Sequence, residues 1–384
     1  MLPYESFLDI KKILLVKLKH IGDVLLATPC IRALQEAFPA ARISALINEG
    51  TEIMLVNHPL LEEMIVFPRS SMKGSFPFCI QGELSFALSI RKRRFDMVVD
   101  LTSADRAAWL AWFSGARYRL AYDPQGKGFL GKQFFYTHLV PHPTDMNIHE
   151  VKKNLGLLEH FRISTPSPRL EMRVAEGDRV AVNGILKSLG LRRNGDGPAS
   201  ILDFALVHPT SRWMFKCWEN DRFAHLIDWL QSDYGYPVIA TCGPDPKEME
   251  RARRILALCS TSPRSLLGVL GLVEWAALAG KARIFIGVDS APMHMAASQG
   301  TPSVVLFGPT GFQNWRPWAV QHTVLVHDCP CSRDRSPHCD WNQTRACMAA
   351  ITLEEAQAAV SNLLRELHGH KHDKHTLFQS VKTG

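Results

Sequence analysis

Three short stretches of this chain bring together side chains that could do chemistry. In "VKLKHIGDVLLATPC" (16–30) a single carboxylate, Asp23, follows Gly22 just after an apolar run. The carboxyl end of a parallel strand is where open sheets bind ligands, and an Asp there could accept a proton from a hydroxyl. Behind a turn glycine and ahead of a helix, the same Asp is equally a preferred cap. In "VHPTSRWMFKCWENDRF" (207–223) a strand ends in Thr210, Ser211 and Arg212, with Lys216 shortly after. Hydroxyls, a guanidinium and an ammonium suit a diphosphate, which wants several donors and positive charge. A basic loop on a solvated surface would have the same composition. In "ARIFIGVDSAPMHMAAS" (282–298) Asp289 and Ser290 follow a third apolar run, and His294 lies in the first turn of the helix that begins near Pro292. Either Asp289 or Ser290 could cap that helix. Two domains, each ending an apolar strand in an Asp beside a helix N-terminus, would set two carboxylates and two positive dipole ends around one cleft between them.

A fourth cluster, "CPCSRDRSPHCDWNQTRACM", holds Cys329, Cys331, Cys339 and Cys347, with His327 and His338 nearby. Its spacing is not the paired C-x-x-C of zinc knuckles, so it reads either as reduced thiols in a surface loop or as a structural metal site.

These residues need elements to hold them. "KKILLVKL", "ARISALI", "EMIVF" and "DMVVDL" read as strands, with helical patterns in "VLLATPCIRALQEAF" and "ELSFALSIRKRRF". Such alternation predicts a parallel sheet with helices on both faces. "PRSSMKGSFPFCIQG" and "YDPQGKGFLGKQFFYTHLVPHP" read as loops. After "STPSPRL", a short helical pattern and "SLGLRRNGDGPAS", the alternation restarts with "FALVHP", "PVIATCG", "ARIFIGV" and "PSVVLFG". Two α/β domains in series follow. Neither contains G-x-G-x-x-G or a phosphate-binding G-x-x-x-x-G-K-[ST], which disfavours a dinucleotide dehydrogenase and a P-loop enzyme. Thr352 and Glu355 form a capping-box pair ahead of a last helix, and a polar tail follows it. The boundaries drawn from these patterns are a first domain over 1–175, a linker over 176–200, a second domain over 201–352, a helix over 353–368 and a mobile tail over 369–384.

At 384 residues the chain has room for two ordinary cores. It contains no apolar run near the roughly 20 residues that cross a bilayer, and its first residues do not resemble a secretory leader, so a cytoplasmic location is expected. Nine cysteines in a chain this large favour reduced thiols. A net charge of +7 favours an acidic partner, but dispersed basic residues without interleaved aromatics argue against nucleic acid.

Five separated blocks, "KLKHIGDVLLATP", "HPTSRWMFKCWENDRF", "TCGP", "GLVEWAALAGKARIFIGVDSAPMHMAAS" and "VVLFGPT", together resemble glycosyltransferase family 9, the ADP-heptose:lipopolysaccharide heptosyltransferases. The likeness runs from about residue 11 to about 320, and "FKCWENDRF", "GVDSAP" and "WRPW" are most similar to the branch adding the third core heptose. It implies an α/β, GT-B architecture: two Rossmann-like domains facing each other across a cleft, acceptor on the first and nucleotide sugar on the second. It also implies an inverting transfer from ADP-heptose. By the same likeness Asp23 is the catalytic base and Lys216 the phosphate-loop lysine. Thr210, Ser211, Arg212, Gly243, Gly308 and Thr310 fall on donor loops, and Asp289, Ser290 and His294 on the sugar side. Gly22, Arg119, Lys127 and Lys132, with the basic run 91–95 and Arg117, fall in the half assigned to a phosphorylated, lipid-linked acceptor. No divalent metal is expected in catalysis, and peripheral contact with the inner face of the inner membrane is expected. The competing readings are a protein O-heptosyltransferase acting on an adhesin and a non-catalytic nucleotide-sugar binder.

Overall fold

The computed structural model describes residues 7–69, 78–191, 203–328 and 346–376, and divides into two compact units, Met1–Arg173 and Val174–Gly384. In the first, strands β1 (Lys12–Lys17), β2 (Arg42–Asn48), β3 (Glu63–Phe67), β4 (Met97–Asp100), β5 (Tyr118–Tyr122) and β6 (His138–Val140) form one parallel sheet. Helices α1 (Ile21–Leu25), α2 (Thr28–Ala37), α3 (Phe78–Lys92), α4 (Asp105–Phe113) and α5 (Glu150–Glu159) lie between or after the strands. The strand order is β3-β2-β1-β4-β5-β6, with Val16 beside Asp100 in the register. Strands buried on both faces read as unbroken apolar runs, and this is why "KILLVK" and "MVVD" were legible from sequence.

The second unit repeats the plan. It contains α6 (Glu176–Ser188), β7 (Ala205–His208), α7 (Asn220–Ser232), β8 (Val238–Cys242), α8 (Pro246–Leu258), β9 (Arg264–Leu267) and α9 (Leu272–Ala279). There follow β10 (Ile284–Val288), α10 (Ala291–Ser298), β11 (Ser303–Phe307), α11 (Phe312–Trp315), β12 (His322–Val326), α12 (Ala346–Ala349) and α13 (Leu353–Thr376). Its sheet runs β12-β11-β10-β7-β8-β9, the same doubly wound order. In each sheet the chain reverses its direction of growth once, between β1 and β4 and between β7 and β10. At such a switch point adjacent strand-to-helix loops diverge and leave a crevice at the carboxyl edge. Asp23 follows β1, Lys216 follows β7 and Asp289 follows β10, so the topology puts these candidates at the switch points.

Several elements differ from the sequence expectation. The pattern "VLLATPCIRALQEAF" is two helices, because Pro29 has no N–H to continue the ladder from α1. The Thr28 hydroxyl donates to Leu25 O at 2.8 Å and Asn154 Nδ2 to Leu26 O at 3.2 Å, satisfying carbonyls at the break. Helix α3 starts at Phe78, inside the expected loop, whose residues 70–77 lie outside the described residues. The other expected loop contains a helical turn, Lys132–Phe135, and edge strand β6. The span 176–200, taken as linker, holds α6, which buries Val182 and Leu186 and packs on α9. The last helix begins as expected: Thr352 N–H donates to Glu355 Oε2 at 2.7 Å, and Glu355 N–H to Thr352 Oγ1 at 3.2 Å. It runs on to Thr376 rather than ending at 368, since nothing after Gly369 breaks a helix before the described residues end.

Candidate active site

In the first unit the turn carrying Asp23 is held from both sides. Leu18 N–H donates to Thr102 Oγ1 at 2.8 Å, and Asn48 Nδ2 to Lys19 O at 3.0 Å. Asp23 is not the N-cap of α1. His20 takes that position, and Asp23, three residues on, accepts the His20 N–H on Oδ2 at 3.2 Å. A side chain at this position reaches back to the cap amide, so the carboxylate has a fixed orientation while remaining half-buried rather than enclosed.

Under this turn lies a buried ammonium. Lys17, 2 % exposed, donates to Glu150 Oε1 at 2.9 Å, Asn154 Oδ1 at 2.9 Å and Leu101 O at 3.2 Å, tying β1 to α5 and to the end of β4. Burial pushes the Glu150 carboxyl up, but Lys17, Lys153 and the Lys17 hydrogen bond outweigh it and hold it below the ordinary value. Beside it, buried Asp100 accepts Thr102 N–H at 2.7 Å, Ser103 N–H at 3.2 Å and the Tyr136 hydroxyl at 2.6 Å. Burial raises its pKa against those bonds. These contacts hold Ser103 at φ +56°, a left-handed conformation that needs outside support in a non-glycine residue.

Two residues expected to meet the acceptor do other work. Lys132 is 3 % exposed and donates to Ser103 O at 2.8 Å, with Asp105 Oδ1 at 3.1 Å. Arg119 pairs in the sheet with Val98, back from the carboxyl edge, and its guanidinium donates to Phe135 O at 2.7 Å and Ala116 O at 2.6 Å. A buried or half-buried cation is kept by the carbonyls it satisfies, and both side chains therefore brace the fold. Within the basic run, Arg93 is likewise bonded twice to Glu63, at 2.9 and 2.6 Å. Lys127 is exposed, and Gly22 is half-buried in the Asp23 turn.

The structure gathers a different set of cations. Lys19, His20, Arg69 and Arg106, all exposed, line a hollow of about 170 Å³ with Leu18, Asn48 and Ala104, at the carboxyl ends of β1 to β4. Arg106 is steadied by Glu83 at 2.7 Å and by the Phe67 ring, 4.7 Å below its guanidinium. Sequence reading missed these four. Lys19 and His20 adjoin the Asp23 motif, but only the sheet order brings Arg69 and Arg106 to them.

In the second unit Lys216 Nζ meets Asp289 Oδ2 at 2.7 Å, and the Thr310 hydroxyl donates to the same oxygen at 2.6 Å. Three loops, after β7, β10 and β11, thus converge on one carboxylate that is 5 % exposed. Two glycines permit the approach. A Cβ at Gly287 would lie 2.9 Å from His208 O on β7, and one at Gly308 would meet Met348 at 3.0 Å. Ser290 is the N-cap of α10, its hydroxyl donating to Val288 O at 3.2 Å, and His294 is buried in the same helix.

Thr210 does not present its hydroxyl to a ligand as expected. It is fully buried and donates to Glu248 Oε2 at 2.8 Å. Glu248, which sequence reading missed, also accepts the Gly243 N–H, and burial raises its pKa against these bonds. A Cβ on Gly243 would sit 3.0 Å from that carboxylate, so this glycine makes room for Glu248 to fold back on the β7 loop. Ser211 is buried, its hydroxyl accepting the Trp213 N–H at 3.3 Å, whereas Arg212 is exposed. Cys329, Cys331, Cys339 and His338 lie outside the described residues; Cys347 is buried in α12, and His327 meets Glu355 at 3.0 Å. Elsewhere Cys30, Cys217, Cys242 and Cys259 are unbridged, and burial pushes their thiols up, Cys242 to about 11.

Comparison with known proteins adds independent findings. Residues 84–344 match the family model of glycosyltransferase family 9 (heptosyltransferase). The chain is 32 % identical over 354 residues to lipopolysaccharide heptosyltransferase 3 of Escherichia coli (strain K12), covering 91 % of this chain and 97 % of that one. Its fold is similar to a crystal structure of a family 9 glycosyl transferase from Veillonella parvula, with a TM-score of 0.77, 25 % identity, and 94 % and 99 % of the two chains covered. It is also similar to E. coli heptosyltransferase WaaC with ADP, with a TM-score of 0.68, 18 % identity, and 92 % and 99 % covered, a likeness of fold.

Proposed function

Because the chain belongs to glycosyltransferase family 9, the heptosyltransferases, we propose that it moves a heptose from ADP-heptose onto an inner-core heptose of lipopolysaccharide, adding the third core heptose. The observation that carries this reading is the 32 % identity, over nearly the whole chain, to a heptosyltransferase 3. The convergence of three loops on Asp289 supports it from the side of chemistry.

The reaction is a single in-line displacement. An acceptor hydroxyl oxygen bonds to the anomeric carbon, the bond from that carbon to the diphosphate oxygen breaks, and ADP leaves with the electron pair. The hydroxyl proton goes to Asp23, whose carboxylate is oriented by the His20 amide. Negative charge grows on the leaving diphosphate, and cations aimed at it bind the transition state better than the ground state. Lys216 and exposed Arg212 fill this role on the second unit, while Asp289, held by Lys216 and Thr310, accepts from sugar hydroxyls. Thr210, Glu248 and Gly243 shape the donor loop from behind. On the first unit the hollow lined by Lys19, His20, Arg69 and Arg106 suits the phosphates of a phosphorylated core.

The test is transfer from ADP-heptose to purified cores truncated after the first or the second heptose, and to an adhesin polypeptide, read by mass. One added heptose on the two-heptose core alone is expected. Addition to the one-heptose core would move the assignment within the family, and addition to the adhesin alone would overturn the lipopolysaccharide reading.

A further inference from the structure

Among the described residues, half of the large apolar side chains left exposed gather on one face of the first unit: Leu84, Leu88, Trp112, Phe129, Leu130 and Phe134. The face is continuous. Leu88 and Trp112 line one depression with Arg91, Phe113, Gly115 and Arg119. The Trp112 ring stacks on Phe135 at 5.1 Å, and Phe129 lies 5.0 Å from the same ring. Leu84, Leu88 and Arg91 recur at helical spacing along α3.

The segment 125–135 is built to project. Gln125, Gly126, Gly128 and Gly131 all have positive φ, bending the chain sharply. Its base is fixed by Lys132 on Ser103 and Asp105 and by the Phe135 stack, while Leu130 is fully exposed and Phe134 is 77 % exposed at its tip.

The surrounding charge is positive. Arg91, Lys92, Arg94, Arg117 and Lys127 are exposed around the face. The acids of α3 and α4, Glu83 and Asp105, are each paired, with Arg106 and Lys132. Apolar and aromatic side chains ringed by basic ones, on a chain whose described helices are none of them long and apolar enough to cross a membrane, are the features of an interfacial anchor.

We infer that this face docks on an anionic bilayer surface and so brings the Asp23 unit to an acceptor carried on lipid. The inference rests on the acceptor reading given above. Leu130 and Phe134 enter the headgroup region, with Trp112 at its boundary, and the basic rim adds a salt-sensitive attraction that works within a Debye length of about 8 Å at physiological ionic strength.

The experiment is co-sedimentation of the full chain with vesicles of phosphatidylcholine alone or mixed with phosphatidylglycerol, at low and high salt. It compares wild type with Leu130→Ser/Phe134→Ser, whose side chains are too exposed for folding to depend on them. Transfer to a deacylated, soluble core is measured in parallel. Wild type is expected to bind the anionic vesicles at least about tenfold more than the neutral ones, and the double variant to lose about tenfold in binding while transferring to soluble core at the wild-type rate. Equal vesicle binding by the two proteins overturns the inference. So does a wild type that ignores vesicles but is a dimer in sedimentation velocity, with the variant a monomer, because the face would then seat a second copy. Vesicle binding lost in the variant, together with no transfer to soluble core by either protein, supports docking and rejects the acceptor reading instead.

Discussion

At the scale of single residues, the capping and base readings of Asp23, which sequence presented as alternatives, are compatible. Its Oδ2 accepts the His20 amide, which orients the group assigned here as base. An Asn in its place retains an oxygen for that amide but cannot take a proton at neutral pH. Asp23→Asn should therefore lower turnover by about two or more orders of magnitude, the usual worth of a general base, with melting temperature and ADP-heptose affinity nearly unchanged. Turnover near wild type would leave capping as the whole role. Lys216 needs a more careful substitution, since it neutralises the buried Asp289. Lys216→Ala should lower turnover and also destabilise the fold by about 3 kcal/mol, the cost of leaving a buried carboxylate without its partner. Lys216→Ala/Asp289→Asn should regain most of the melting temperature and none of the turnover. If stability and turnover recover together, Lys216 acts only by holding Asp289.

At the scale of elements, positioning depends on buried polar ties more than on the loops themselves. Lys17 joins β1, α5 and the end of β4 directly under the Asp23 turn. Glu150 is held below its ordinary carboxylate value in the folded chain. A carboxyl with a depressed folded pKa binds fewer protons folded than unfolded, so its contribution is present above the unfolded value, near 4.5, and is lost as pH falls through the folded one. Glu150→Gln should be less stable than wild type at pH 7, with a gap in melting temperature that narrows as pH is lowered below about 4.5. A gap constant with pH would mean that the Lys17 tie contributes through shape and not charge. In the second unit Gly287 does comparable work, because a side chain there would push β10 off His208 and carry Asp289 away from Lys216.

At the scale of the whole molecule, two similar sheets are proposed to divide the labour. The second carries the cations proposed for the diphosphate. A divalent ion bridging a diphosphate needs carboxylates to hold it. Between Thr210 and Cys217 there is no acid, and Asp289 is already engaged by Lys216 and Thr310. Lys216, Arg212 and the amino end of α10 are expected to replace the ion, so transfer in EDTA should run at nearly the rate found with added magnesium. Rapid loss in EDTA, restored by magnesium or manganese, would show that the diphosphate is neutralised otherwise.

Sequence alone determined the alternation of strands and helices and the two-unit plan, and it singled out Asp23, Lys216 and Asp289 as candidates. These are local facts: buried parallel strands are continuous apolar runs, and polar residues at their ends stand out against them. The likeness to family 9 rested on the same local blocks. Sequence could not tell which basic residues were available to a ligand. Lys132, Arg119 and Arg93 resemble Lys19, Arg69 and Arg106 as letters, yet the first three are tied to carbonyls or a carboxylate away from the hollow, while the other three line it at the carboxyl edge, Arg106 with Glu83 steadying it. Nor could it show that Thr210 turns inward to Glu248, 38 residues on. A cation or hydroxyl is assigned by the partners that surround it, and those partners come from strands adjacent in the sheet but distant in the chain. Only the tertiary structure decided that.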